Sequence, residues 1–411
     1  MNRKGCGQMD FRQEWITTIH DFRIDEQTII SSLEELKDER PMTLLIPMFY
    51  DEIQGISLNT IIDRINESTY LNRVIIALAA DDEHKYVEVK EFFSRLMIPH
   101  TIVWCNGPTV MHIIDELKEK GLDITMFAGK GKDTWIALGV ASLDSYAIAM
   151  HDADIVSYSK LLPAKLFYPI VEPELSFFFN KGYYARIDME KLIMYGRVYR
   201  LLLSPLLNAL LEKTKYSSNF LKYMCAFKYP LSGEFGMTSD LAINIRIPGD
   251  WGLEVGLLAE VYKGAALKRI SQVDLEFYEH KHRAIGTDSD EGILKMIKDI
   301  TKTIFRNLVE VDGIDINEAF LQSSIVLFKR TAQDRIRQYH ADALCNGLNY
   351  SRHAEECMVD EFSRIVLISG KEYIDNPTGL MLPDWKRAIS AMPDTREKLK
   401  DAALHDYNTY R

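Results

Sequence analysis

Cysteine is sparse: Cys6, Cys105, Cys225, Cys345 and Cys357 are odd in number, scattered and never spaced as CxxC. That excludes a disulfide framework and a paired-cysteine zinc site, and makes a reducing cytoplasm the expected compartment. No apolar run approaches the roughly 20 residues needed to span a bilayer. The opening MNRKGCGQMDFRQEW enters charged residues without the apolar centre of a signal peptide, so membrane insertion is not expected. Positive charge is also short. With 49 Lys and Arg against 60 Asp and Glu, the net charge is −11, which argues against a general nucleic-acid binder. An anionic ligand must then be met by a local cationic cluster. Internal repeats and low-complexity tracts are missing, and no GxxxxGK[ST] occurs, which disfavours ATP hydrolysis by that route.

What is present is a globular composition, 47% hydrophobic and 27% charged, enough for a substantial core. Charged residues from about Trp15 to Arg40, stopped by Pro41, read as an N-terminal helical extension over 1–40. From Met42 onward, apolar runs alternate with helical stretches: Met42 to Met48, Leu71 to Ala79, Thr101 to Trp104 and Ser145 to Met150 are the predicted strands. Such alternation predicts an α/β, Rossmann-like, mostly parallel sheet flanked by helices. The α/β domain is placed at 41–286, in two halves of about 41–155 and about 156–286. Residues 287–411 read as a helical C-terminal region, for dimerisation or for covering the active site, and a homodimer is expected.

Ligands in such sheets gather beyond the carboxyl ends of strands. There SYAIAMHDADI delivers Asp152 and Asp154, with Ala153 between them. Two carboxylates suit a hard divalent cation, Mg²⁺ or Mn²⁺, that also bridges phosphate oxygens; the bland alternative is a solvated turn. LLIPMFYDE leaves Met48 to Asp51 at the end of the first strand, and AGKGKDTW sets Lys130 and Lys132 among glycines before a helix, where amides and an ammonium meet phosphate. In PGDWGLEVGLL, Glu254 opens a helix, where a carboxylate also gains from the dipole. Trp251 beside it is a candidate sugar platform, whereas the Phe177, Phe178, Phe179 run reads mostly as core.

Taken in order across about residues 40 to 290, eight pieces resemble one family: IPMFYDE, GKGKDTW, HDADI, NKGYYARI, YGRVYRLLLSPLLNAL, YPLSGEFG, PGDWGLEVGLL and EHKHR. It is the glucosyl-3-phosphoglycerate synthases, retaining glycosyltransferases of the GT-A fold. The resemblance implies that Asp154, with Asp152 behind it, binds the metal together with His280. Pro47, Met48, Phe49 and Asp51 then hold the nucleotide, Lys130 contacts the donor with Lys132 as its rival, and Leu231, Ser232 and Gly233 give backbone contacts around the sugar. Gly196 and Arg197 clamp the carboxylate and phosphate of the acceptor; Arg197 and Arg200 otherwise read as a solvated helix face. Tyr199 and His282 stand at acceptor positions where the family pattern has Thr and Asn. Glu254 and Asp152 are the implied catalytic pair, Glu254 orienting a hydroxyl or handling a proton.

The reaction so implied passes glucose from UDP- or GDP-glucose to the 2-hydroxyl of 3-phosphoglycerate. The product is a precursor of glucosylglycerate, a compatible solute. Mannosyl transfer, or free glycerate as acceptor, is the near rival. A sugar nucleotidyltransferase on a related fold is the rival from another reaction class, disfavoured because no Gly-rich nucleotidyl signature lies near the first strand. A third reading is a non-catalytic interaction protein that kept the fold; the joint presence of Asp152, Asp154, Lys130, Glu254 and His280 argues against it.

Overall fold

The computed structural model describes residues 13–249, 252–277, 287–377, 379 and 381–410. Among these, eight strands form one sheet: β1 (Thr17–Ile19), β2 (Met42–Phe49), β3 (Arg73–Ala79), β4 (His100–Trp104), β5 (Ala147–Met150), β6 (Phe179–Ala185), β7 (Phe235–Thr238) and β8 (Ile270–Phe277). Their spatial order is β1-β8-β6-β7-β5-β2-β3-β4. All neighbouring pairs run parallel except those of β7, which lies antiparallel between β5 and β6. The four strands expected from apolar runs are β2 to β5. The segment expected to be a helical extension also supplies β1, an edge strand paired in parallel with β8.

Side chains alternate across the sheet because the strand period is two. In β2, Leu45 enters one core while Leu44 and Ile46 enter the other; in β3, Ile75 and Ala77 oppose Val74, Ile76 and Leu78. Each aliphatic side chain so buried contributes about 1.5–3 kcal/mol, and these runs are apolar on both faces because helices cover both.

The covering helices include α1 (Glu26–Leu36), α2 (Ile56–Asn66), α3 (Glu83–Phe93), α4 (Pro108–Glu119), α5 (Lys130–Ala141), α6 (Leu161–Val171), α7 (Ser204–Lys213) and α8 (Leu253–Gly264). Asp25 and Asp82 cap α1 and α3 by accepting from the Thr28 and Lys85 amides. Helix α5 is buried from Gly131 to Ala141, because it lies between the sheet and the end of the chain.

That end consists of α9 (Thr287–Asp312), α10 (Glu318–Cys345), α11 (Arg352–Asp375), a short helix Trp385–Ala391 and α12 (Thr395–Thr409). Helix α10 packs on α7, and α12 returns to α4, α5 and β4. Met381–Leu382 pairs antiparallel with Ile247–Pro248. Trp385 stacks on Trp135 of α5 with ring centroids 3.9 Å apart, and its indole N–H donates to the Trp135 carbonyl at 2.9 Å. The last helices thus brace the back of the helix whose front end carries Lys130. Among the described residues no helix is long and apolar enough to cross a membrane.

Candidate active site

The site begins where two neighbouring strands end at different heights. β2 pairs with β5 only from Met42 to Leu45, whereas it pairs with β3 as far as Phe49. Beyond Met150 the pairing of β2 with β5 has stopped beside Ile46 to Phe49, at the carboxyl end of the sheet, where ligands of such folds bind in a crevice. Pro47, which has no N–H, costs no ladder bond on the side where β5 has ended. Of the predicted nucleotide positions, Pro47 and Met48 are buried, so only their backbone can face the crevice. Phe49 is exposed, and Asp51 is exposed in the following 3₁₀ turn, Tyr50–Gln54.

Two acids and one ammonium meet in front of this crevice. Lys130 Nζ lies 2.7 Å from Asp152 Oδ1 and 3.5 Å from Glu254 Oε1. Burial alone would lower the Lys130 pKa, but the charges of Asp152 and Glu254 outweigh it and hold the ammonium protonated well above its usual range. The neighbouring loop can come this close because position 131 is glycine: a Cβ there would stand 2.3 Å from the Pro248 carbonyl oxygen. The chain then turns through Gly252 into α8, whose first turn carries Glu254. Lys132 goes elsewhere. It is buried with Nζ 3.1 Å from Met111 Sδ, so Lys130 is the lysine placed in the cluster.

His151 fixes the turn that carries Asp152 and Asp154. Its ring is fully buried, with Nδ1 2.9 Å from the Asp152 carbonyl oxygen and Nε2 3.0 Å from the Tyr158 hydroxyl. Burial pushes its pKa down to about 4, so the neutral ring donates from Nδ1 and accepts the Tyr158 proton at Nε2. On the other side, a Cβ on Gly233 would sit 2.6 Å from Asp152 Oδ2. The backbone of the 231–233 turn therefore lies directly against the Asp152 carboxylate. Ser232 presents only backbone there, since its buried hydroxyl donates to the Gly182 carbonyl at 2.6 Å.

Gly196 has a φ of 76°, a left-handed conformation open to glycine, and it starts the turn that leads through Arg197 into a π-helical segment, Val198–Leu203. Such segments are common at functional sites. Arg197 is partly exposed, but Arg200, read from sequence as a solvated face, is buried. It donates to both carboxylate oxygens of Glu355 in α11, at 2.7 and 3.1 Å.

Sequence reasoning missed Tyr229, Lys181 and Glu234. The Tyr229 ring meets Tyr199 and Tyr184, both at 5.1 Å between centroids, and its hydroxyl accepts from Arg186 at 3.4 Å. It joins the acceptor turn to the 231–233 turn. Lys181 and Glu234 are fully buried charges behind the site. All three stand inside NKGYYARI and YPLSGEFG, and charge at the inward positions of strand-like segments was the available signal.

The chain is 54% identical over 402 residues to the glucosyl-3-phosphoglycerate synthase of Methanococcoides burtonii, covering 98% of this chain and 99% of that one. The chain belongs to the glucosyl-3-phosphoglycerate synthase family. A second member, from Persephonella marina, is 38% identical over 407 residues, covering 96% and 98% of the two chains. No family model matches. The fold resembles the crystal structure of Mycobacterium tuberculosis glucosyl-3-phosphoglycerate synthase in complex with Mg²⁺ and UDP, with a TM-score of 0.52, 20% identity, and coverage of 71% of this chain and 86% of that one. It also resembles mannosyl-3-phosphoglycerate synthase from Rubrobacter xylanophilus, with a TM-score of 0.55, 18% identity, and coverage of 74% and 84%. At those identities the likeness is one of fold.

Membership of the glucosyl-3-phosphoglycerate synthase family makes the chain a hexosyltransferase and gives the acidic turn a direct test. Asp152, Glu234 and Glu254 act on the two ammoniums of Lys130 and Lys181, and Asp154 stands two residues beyond Asp152. That surplus of oxygen-borne negative charge fits a hard divalent cation. The expected third ligand, His280, lies outside the described residues, as do His282 and Trp251. Among the described residues no group of three or more His, Cys, Asp or Glu is gathered tightly enough to hold a metal ion by itself.

Proposed function

We propose that this family member transfers glucose, with retention, from UDP- or GDP-glucose to the 2-hydroxyl of 3-phosphoglycerate. The observation that carries the reading is the sharing of Lys130 between Asp152 and Glu254 at the mouth of the crevice. An ammonium there can pass to the donor diphosphate, and Glu254, released from it, can orient the hydroxyls around the reacting carbon. Asp154, backed by Asp152 and joined by His280, would hold Mg²⁺ or Mn²⁺, which supplies positive charge to the leaving diphosphate.

The chain's own residues do the rest. Pro47 and Met48 offer backbone to the nucleotide, with Phe49 and Asp51 at the rim. The 231–233 turn, pressed against Asp152, offers backbone to the sugar. Gly196 and Arg197 receive the acceptor's anionic groups, Arg through paired hydrogen bonds. Glu254 acts by orientation and charge, since its carboxylate already engages Lys130 and is not presented as a free nucleophile. Tyr199 narrows the acceptor end, where it packs edge-on against Tyr229.

A turnover assay with 3-phosphoglycerate and a panel of UDP and GDP sugars, with Mg²⁺ or Mn²⁺ present and then chelated, tests the proposal. Metal-dependent release of UDP or GDP from the glucose donor only when 3-phosphoglycerate is added supports it. Release indifferent to the acceptor, or silence with every donor, overturns it.

A further inference from the structure

Lys181 lies on β6 opposite Phe235 of β7, with its side chain fully buried. Its ammonium donates to the Ser232 carbonyl at 2.5 Å and lies 5.7 Å from the centre of the Phe235 ring. The same turn is tied to β6 twice more: Ser232 Oγ donates to the Gly182 carbonyl at 2.6 Å, and the Gly182 amide donates to the Glu234 carbonyl at 2.9 Å. Next along is Gly233, whose backbone abuts the Asp152 carboxylate. A buried ammonium carries a desolvation cost of several kcal/mol unless charges and acceptors offset it, and a methionine of similar length would fill the same space without that cost. Burial lowers the Lys181 pKa to about 8, against the opposing pull of Glu254 and Glu234.

We infer that Lys181 is a positioning residue for the donor sugar: its ammonium fixes the Ser232 carbonyl, and so sets the 231–233 turn at the height from which its backbone meets the glucose ring beside Asp152. This rests on the proposed function, which gives that turn to the sugar. Lys181 touches neither substrate; it acts through the turn. The nucleotide positions on β2 lie on the far side of β5 from β6. Loss of the ammonium should therefore weaken what depends on the sugar and spare what depends on the nucleotide.

The test compares wild type with Lys181→Met and Lys181→Gln, measuring calorimetric affinity for UDP-glucose and GDP-glucose and for bare UDP and GDP, alongside kcat per folded molecule. For Lys181→Met the affinity of the sugar-bearing donor should fall about tenfold, one hydrogen bond's worth, while that of the bare diphosphate stays unchanged. Its kcat should fall about 100-fold, the scale of a misplaced reactant. Lys181→Gln, which keeps a donor, should lie between. Equal weakening of both ligands, or wild-type behaviour of Lys181→Met, overturns the inference. If Lys181→Met does not fold, the affinity ratio in Lys181→Gln decides; if neither variant folds, the role is structural and the inference fails. The ratio needs no acceptor, so a wild type silent toward 3-phosphoglycerate would overturn the proposed reaction and leave the Lys181 result readable.

Discussion

A methyl group on Gly233 would stand 2.6 Å from Asp152 Oδ2 and 2.8 Å from its carboxyl carbon. Asp152 cannot retreat without leaving Lys130, which holds its other oxygen at 2.7 Å. Gly233→Ala should therefore displace the carboxylate and lower kcat/KM by about 100-fold. Its melting midpoint should move little, because the clash falls on a partly exposed side chain. Activity within a few-fold of wild type would show that the turn and Asp152 are not coupled.

Asp154 stands apart from that contact, two residues past the first acid and beyond the end of β5. With its carboxylate as the proposed metal ligand, Asp154→Ala should abolish metal-dependent transfer and leave the melting curve of the apo protein intact. The check is a titration of turnover against Mg²⁺ and Mn²⁺. Turnover equal to wild type across it would sink the metal assignment.

The two lysines of GKGKDTW separate in the same way. Lys130→Met should lose transfer, since it removes the ammonium shared by Asp152 and Glu254. Lys132→Met, at a buried position against Met111, should retain most of its turnover. Equal loss in both would mean that Lys132 also reaches the donor.

Much of this arrangement was legible in the order of residues. The β-branched and aliphatic runs at 42–48 and 71–79 mark strands buried on both faces, and the carboxylates of Asp152 and Asp154 stand out because an apolar strand ends just before them. The glycines before it put Glu254 at the start of its helix, and its place in the site came from the family resemblance. The antiparallel β7 was not legible, because FGMT is too short for a periodic signal and its place between β5 and β6 is fixed by long-range pairing. Nor was β1, three residues whose pairing partner lies some 250 positions away. Arg200 misled and Lys181 was missed for one physical reason: a buried charge is not legible unless its partner is known, and those partners are Glu355 and the Ser232 carbonyl.

Asp133 gives a pH dependence with a defined sign. It follows Lys132 on α5, and burial raises its carboxyl pKa to about 7, the Lys132 charge opposing. Between the unfolded value near 4 and about 7 the folded state keeps a proton that the unfolded chain has released. Stability from this group is therefore lost as pH rises through that window, with the full penalty above 7. Asp133→Asn should melt higher than wild type at pH 8, and the difference should shrink toward pH 5. A difference independent of pH would show that the carboxyl does not titrate as its burial implies.

The last prediction concerns the link between the acceptor turn and the C-terminal helices. Arg200 donates to Glu355 through two nitrogens, to the Tyr195 carbonyl at 2.9 Å and to the Met194 carbonyl at 3.2 Å, with its guanidinium 4.9 Å from the Tyr339 ring centre. Tyr350 also donates to Glu355. Arg200→Met leaves the buried Glu355 without its cation, a change that costs about 3–5 kcal/mol, and it frees the backbone just before Gly196 and Arg197. Thermal stability should fall, and in the surviving folded enzyme the KM for 3-phosphoglycerate should rise more than that for the sugar donor. Replacing both members, Arg200→Met with Glu355→Leu, should recover much of the stability, because no lone charge remains, but not the acceptor KM, because the 194 and 195 carbonyls still lack their donor. Recovery of both together would mean that the pair only supports the fold and does not shape the acceptor turn.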